Sequence, residues 1–297
     1  MQNTSPVHKL VVTVLGDDFA GYDSPLLGSH GISLLLEVYS SDQNANILFD
    51  VSQSSETILH NMGILGISPQ CVDLIFLSHC HYDHTGGLFG MLRAIDKKDI
   101  PVIAHPTVFR PHYILEPRLR FIGVPRENSR HELENHAKFV LIDHSFSLMP
   151  GVISTGEVPR EIPFEKTMKL KTFTEENGKL VPDQMKDDLS LVVKMKNKGL
   201  VIITGCSHAG IVNIVQHAIR LTDEKQIQAV IGGLHLIDAD EDRIEKTANT
   251  LYDLNVGSLY VGHCTGLSGE ASLLRLFKDR LLKLHSGMRI ELSHREI

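Results

Sequence analysis

The sequence predicts an α+β fold, on three observations. A β-rich apolar run at 72–78 leads into a histidine-rich turn, and then into Leu88, Phe89, Met91, Leu92 and Ile95 at helical spacing. The same order of strand, ligand-type turn and helix returns at 199–204, 205–210 and 211–219. Turns bearing ligand-type side chains are spread from Asp50 to His263, and they must converge for a site to exist. No linker or low-complexity segment separates them, so a single domain, 1–297, with two similar halves is expected.

The turn after the first of these strands concentrates the chemistry. His79, His81, Asp83 and His84 fall within six positions, followed by Gly86 and Gly87. Neutral imidazole and carboxylate oxygen suit Zn²⁺ and similar borderline cations. His79 and His81 are two apart, so on extended chain they project to the same side. Asp83 and His84 lie past the turn and can face a second point. Four such ligands on a short loop do not easily serve one tetrahedral ion, so two divalent ions about 3.5–4 Å apart are expected. The plainer alternative is a run of surface histidines capping the next helix, but a solvated loop has no need of four ligand types in this order.

The order His-x-His-x-Asp-His at a strand end, within LSHCHYDHTGG, resembles the metallo-β-lactamase superfamily. The resemblance implies an αββα sandwich, two mixed sheets flanked by helices, with a one- or two-metal site at the edge of the inner sheets. It also implies that Asp50 supports the metal loop from behind the ligands, although Ser52 stands where the superfamily usually has glycine.

Composition bounds the partners. An apolar content of 42% is ample for a core, and 29 basic against 36 acidic residues leave a net charge of −7. That balance argues against general binding to nucleic acid or membrane surfaces. No stretch approaches the roughly 18 apolar residues of a membrane span. The polar start at 1–6 and the short apolar run at 10–15 do not resemble a signal peptide. Of the four cysteines, Cys80, Cys206 and Cys264 neighbour histidines, so a reduced cytoplasmic protein is expected rather than a disulfide framework.

Taken in order, strands are expected at 11–15, 32–38 and 46–50, and a helix at 55–65. After the metal loop and its helix comes a strand at 101–105. The segment 109–130 reads as irregular and basic, with Arg110, Arg118 and Arg120 among its cations and Tyr113 and Phe121 interleaved. It is either a solvated loop or a lid whose fork-shaped guanidinium donors bind an anionic group such as phosphate. Strands follow at 139–142 and 152–154. Glu157 falls about where many superfamily members place a single metal-binding histidine. No histidine stands there, so the third ligand is Glu157 or a later residue. The polar stretch 169–188, with a turn at 175–178, is either a hairpin tip or a flexible excursion, and 189–195 with 199–204 form a hairpin.

Where superfamily members commonly present a bridging aspartate, this chain offers Cys206 and His208. His208 is the preferred ligand. Cys206 is a second candidate as thiolate, unless it is merely a buried small apolar group. A strand at 226–231 leads to His235, a helix spans 240–254, and a strand at 259–261 leads to His263. Both histidines compete for the last ligand position. His263, at the final turn-to-helix junction, is preferred, which leaves His235 as a pocket residue or supporting donor. A helix at 271–284 and a strand at 288–292 close the chain. His105, His112, His131, His136, His144 and His217 lack ligand-type surroundings.

Together, LSHCHYDHTGGL, ITGCSHAGIVNIV, IGGLHL and VGHCTG resemble one branch of the superfamily, the group around 7,8-dihydropterin-6-methyl-4-(β-D-ribofuranosyl)aminobenzene 5′-phosphate synthase of methanopterin biosynthesis. The branch implies small anionic substrates. A dihydropterin carried as a pyrophosphate ester is joined to an arylamine ribofuranoside phosphate, with release of pyrophosphate. The residues alone support a wider range. Two divalent ions, zinc by default with manganese or iron tolerated, serve such a transfer or the hydrolysis of a small ester or phosphoester, with Asp83 also orienting a water. A non-catalytic metal or redox sensor is the third reading, suggested by the cysteines beside the candidate ligands.

Overall fold

Alternation along the strands sorts the apolar side chains into layers. The computed structural model describes residues 6–126, 129–166 and 171–293. The start at 1–5, positions 127–128 of the basic segment, positions 169–170 of the polar excursion and the tail beyond 293 lie outside the described residues. In the strand Ser33–Ser40, Leu34, Leu36 and Val38 join a core with Leu191, Val193, Val201 and Ile203, while Leu35 turns to the opposite face. In Ser190–Met195, Leu191 and Val193 enter that shared core and Val192 turns outward.

Each half follows one plan. In the first, Ser33–Ser40 and Asn44–Phe49 pair antiparallel, and Leu74–Phe76, Ile100–Ala104 and Ala137–Leu141 then add in parallel. In the second, Ser190–Met195 and Gly199–Thr204 pair antiparallel, and Ile227–Gly232, Ser258–Val261 and Leu281–Lys283 add in parallel. The strand Val7–Gly16 runs antiparallel to Ser33–Ser40 and meets Met195 through Val7, so the two sheets join at one margin. Helices Ser55–Leu65 and Leu88–Ile95 cover one outer face through Ile58, Met62, Leu88, Met91 and Leu92. Helices Ile211–Thr222, Glu241–Asp253 and Gly266–Phe277 cover the other. The outcome is the expected αββα arrangement.

The basic segment and the polar excursion combine into a second, four-stranded antiparallel sheet in the order Lys179–Pro182, Thr172–Glu176, His112–Ile114, Arg120–Phe121. Its hairpin turns on Asn177 and Gly178, both at positive φ, the geometry of a tight primed turn. The segment 109–130 is therefore not irregular throughout. Tyr113 and Phe121 sit opposite each other and their rings meet at 5.6 Å.

The closing helix differs from expectation. It spans Gly266–Phe277, ends where Lys278 takes φ 53°, and gives way to the strand Leu281–Lys283. Leu281 packs on the helix layer and Leu284 enters the inter-sheet core, so this apolar run alternates between faces as a strand does.

One side chain fastens the loop after the first strand. The Asn61 amide donates to the carbonyls of Leu15 (2.8 Å) and Leu27 (2.9 Å) and accepts from the Leu27 amide (2.8 Å). Asn61→Ala is expected to leave these groups unmet and cost about 2–3 kcal/mol, read as a lowered urea midpoint.

Candidate metal centre

The ligand-type residues stand where parallel strands end. Asp50 follows Asn44–Phe49, residues 78–84 follow Leu74–Phe76, and Cys206 and His208 follow Gly199–Thr204. His235 follows Ile227–Gly232, and His263 and Cys264 follow Ser258–Val261. The carboxyl ends of adjacent parallel strands are where open α/β sheets place their ligands. The turns bend sharply. Asp50, Ser52, Ser207, His235 and His263 adopt φ between 45° and 60°, a left-handed conformation unusual for residues other than glycine. Ser52 keeps this turn without glycine, and its hydroxyl donates to the His30 carbonyl at 3.1 Å. Gly31, at φ 107°, is the reverse case. A Cβ there would meet the Asp83 carbonyl oxygen at 1.7 Å.

Asp50 anchors the loop from within. Its carboxylate accepts from the Ser78 amide (2.7 Å), the Ser78 hydroxyl (2.6 Å) and His84 Nδ1 (2.6 Å). The Ser78 hydroxyl lies 2.8 Å from His79 Nδ1, so one buried carboxylate orients two imidazoles. Both rings are thereby turned so that Nε2 faces the cluster. His79 Nε2 lies 3.0 Å from His81 Nδ1, and His84 Nε2 lies 3.1 Å from Cys206 Sγ. The His208 ring packs 4.8 Å from both His79 and His81 and 4.3 Å from His235. On the other side, Asp83 Oδ2 is 3.3 Å from His263 Nε2, 3.4 Å from His30 Nε2 and 3.7 Å from His84 Nε2.

At His79, His81, His208 and Asp83 the electrostatics suit a cation, whereas Cys264, Asp18 and Asp83 outweigh burial and hold His263 well above the ordinary histidine value. Burial, with neighbouring imidazoles, holds His79 and His208 well below the ordinary histidine value. Burial likewise pushes His81 down to about 3, against the pull of Asp83. Neutral imidazole is the form that binds metal. Burial works against ionisation of Asp83, yet His84 and His263 hold its carboxyl well below the usual carboxylate range. Among the described residues, His81 Nε2 and both nitrogens of His208 are buried without a hydrogen-bond partner. Such orphaned donors or acceptors are costly unless something else satisfies them. Among the described residues four sets offer ligand atoms within 4.8 Å of one another, and two of them, His79 with Cys206 and His208, and His84 with Cys206 and His263, draw on the histidine loop. The residues fit divalent ions of the zinc class.

A cavity of about 220 Å³ opens on this cluster. Asp18, His30, Asp83 and His263 form its polar wall, and Ile114, Ile122 and Ile237 its apolar wall, with Arg120 beside them. Ile114, Arg120, Ile122 and Thr172 come from the second sheet or its margins, so that sheet covers the site.

The other anticipated residues lie elsewhere. Glu157 does not join the cluster. It pairs with His105 at 3.2 Å and lines a separate groove. Arg110 is not a free anion binder, because its guanidinium is held by Asp187 (2.7 Å) and by Asp183 in a nearly buried network. Arg118 is exposed and is not among the cavity-lining residues. Only Arg120 of the three arginines reaches the cavity. His112, read as ordinary, stacks on His81 with centroids 4.8 Å apart and planes 10° apart. Asp18 and His30 were not anticipated, and Cys264 enters the sequence reading only as a cysteine beside a candidate ligand. Asp18 Oδ1 pairs with His263 Nδ1 at 2.9 Å and Asp18 Oδ2 with His30 Nδ1 at 3.2 Å. The available signal was an acidic pair, Asp17 and Asp18, immediately after a predicted strand.

This fold and this constellation define a candidate metal centre of the metallo-β-lactamase type. The family model for the metallo-beta-lactamase superfamily matches residues 33–155. The chain is 40% identical over 290 residues to the 7,8-dihydropterin-6-methyl-4-(beta-D-ribofuranosyl)-aminobenzene-5′-phosphate synthase of Methanocaldococcus jannaschii, covering 97% of this chain and 98% of that one. It superposes with a TM-score of 0.80, at 28% identity and over 96% of its length and 100% of the other, on a crystal structure described as a metal-dependent hydrolase of the β-lactamase superfamily. The Bacillus subtilis protein YhfI shares the fold alone, with a TM-score of 0.55 at 14% identity, over 95% of this chain and 99% of that one. The chain belongs to the metallo-β-lactamase superfamily, in the branch that contains the methanogen synthase.

Gly205 makes room for the Asp50 anchor. A Cβ there would stand 2.2 Å from the Ser78 hydroxyl and 2.9 Å from Asp50 Oδ2. Gly205→Ala is expected to displace Ser78 and cost about 1–3 kcal/mol, with a larger proportional loss of metal affinity than of folding stability. Chelator competition beside thermal unfolding checks it.

Proposed function

We propose that this chain is a metal-dependent transferase that joins a dihydropterin pyrophosphate ester to an arylamine ribofuranoside phosphate. The near-full-length likeness to the Methanocaldococcus jannaschii synthase carries this reading. We take residues 1–297 as one domain, with the second sheet as lid, working in a reducing cytoplasm that suits its four free cysteines.

His79, His81 and His208 would hold one divalent ion and Asp83, His84 and His263 a second, with Cys206 between them. Zinc is the default for such a mixed N/O/S set. When bound, the ions supply Lewis acidity and neutralise a departing pyrophosphate. The chain's own residues do the rest. Ile114, Ile122 and Ile237 offer apolar surface to flat rings, and Arg120 faces a phosphate with paired donors. As the arylamine nitrogen bonds to the pterin methylene carbon, the carbon–oxygen bond to pyrophosphate breaks and the nitrogen sheds a proton. Asp18 and His30, at 3.2 Å from each other on the cavity wall, would take that proton. Asp50 keeps the imidazoles aimed throughout.

A second reading has its own support, the 28% identity and full-length superposition on a metal-dependent hydrolase. There the nucleophile is water, oriented by Asp83, and a small ester or phosphoester is cleaved. Incubating metal-loaded protein with both substrates separates the two. Coupled product should appear in step with pyrophosphate. Ester cleavage without coupling would favour the hydrolase, and no release of pyrophosphate would sink the transferase.

Two variants sharpen the proposal. Asp50→Asn should keep the fold and weaken metal affinity about 10–100-fold, as loss of a supporting contact to ligating histidines typically does, measured by chelator competition. Arg120→Ala should raise KM for the phosphate-bearing substrate about 10-fold or more, from a charged contact of about 1.5–3 kcal/mol, while kcat changes less.

A further inference from the structure

Three adjacent parallel strands of the second half, Gly199–Thr204, Ile227–Gly232 and Ser258–Val261, end in turns that clasp one another. The Gly233 amide donates to the Gly205 carbonyl at 2.9 Å, the Leu236 amide to the Cys264 carbonyl at 3.1 Å, and the Leu234 amide to the Thr265 hydroxyl at 3.1 Å. This lacing brings Cys206, His235 and Cys264 together, one from each turn, with their ligand atoms within 4.8 Å of one another. The Cys264 sulfur lies 3.6 Å from the Cys206 carbonyl oxygen. All three residues are buried, and His235 Nδ1 has no hydrogen-bond partner among the described residues. Gly233 makes the space, since a Cβ there would lie 2.6 Å from the Cys264 sulfur.

We propose that Cys206, His235 and Cys264 form a separate position for one zinc-class ion, joined to the histidine cluster through the Cys206 sulfur. Two thiolates and a neutral imidazole cancel the charge of a divalent ion, which lowers the cost of burying it. Three protein ligands would leave such an ion one position open, and Cys206, His235 and Cys264 all line the cavity. The sulfur pair also sets the metal. Thiolates favour zinc over manganese or magnesium, which a purely imidazole and carboxylate site does not exclude as firmly. The inference extends the metal-binding part of the proposed function and is independent of which reaction the cavity supports.

X-ray absorption and elemental analysis of the zinc-loaded full chain test it. A sulfur shell near 2.3 Å from zinc is expected. In Cys264→Ala the zinc content should fall by one per chain and the sulfur shell should weaken. Cys264→Ser, closer in shape, serves as the second variant, with circular dichroism reporting the fold of both. His79→Ala should leave the Cys264-dependent part of the sulfur shell in place, because His79 is not one of the three residues of that position. No sulfur shell in the unaltered chain overturns the proposal, as does a folded Cys264 variant with unaltered zinc content and sulfur signal. An intact sulfur shell in protein that releases no pyrophosphate would count against the transferase alone.

Discussion

A buried carboxylate behind a group of imidazoles is the constraint on which the rest depends. Histidine rings packed 4.2–4.8 Å apart without solvent have no intrinsic reason to point the same way. Asp50 supplies one, by holding Ser78 through two donors and His84 through a third. It can do so because its own strand runs parallel to the strand that feeds the histidine loop, so both turns leave the sheet at the same edge. Gly205, from the other half of the molecule, closes against that contact. The anchor therefore joins the two sheets as well as orienting the imidazoles.

The second sheet adds a different kind of order. Arg110 is spent internally, tying the start of that sheet to Asp183 and Asp187, and Asp187 in turn accepts from the Cys80 amide of the histidine loop at 2.8 Å. The cover and the loop are thus mechanically linked through a charge pair that is almost fully withdrawn from water. Such a pair is a demanding arrangement, because either partner alone would be a buried unpaired charge. It gives the cavity a fixed roof, from which Ile114 and Ile122 face the polar wall.

Legibility from sequence followed the range of the physics. The strands and helices rest on local periodicity, and the helix Ser55–Leu65 and the hairpin at 190–204 fall within a residue of expectation. The closing helix failed where its apolar run, Leu281 to Leu284, fits a helix or a strand equally, and only the neighbouring strand Ser258–Val261 selects between them. That His79, His81, Asp83 and His84 stand together was legible because all four lie on one turn. Arg110 was misread because the two aspartates that neutralise it lie more than seventy residues away. Asp18 escaped notice for the same reason, since its partner His263 is 245 positions away.

By itself, the order of residues determined the superfamily, the alternation that builds two sheets, and a loop dense in metal-type side chains. These are properties of neighbours along the chain. Only the tertiary structure decided which arginine meets the cavity, that Glu157 stands apart with His105, and that Cys264 comes beside Cys206 and His235. Those outcomes depend on how strand ends from opposite halves are brought to one edge, and a side chain's role there is set by partners that its sequence neighbours do not encode.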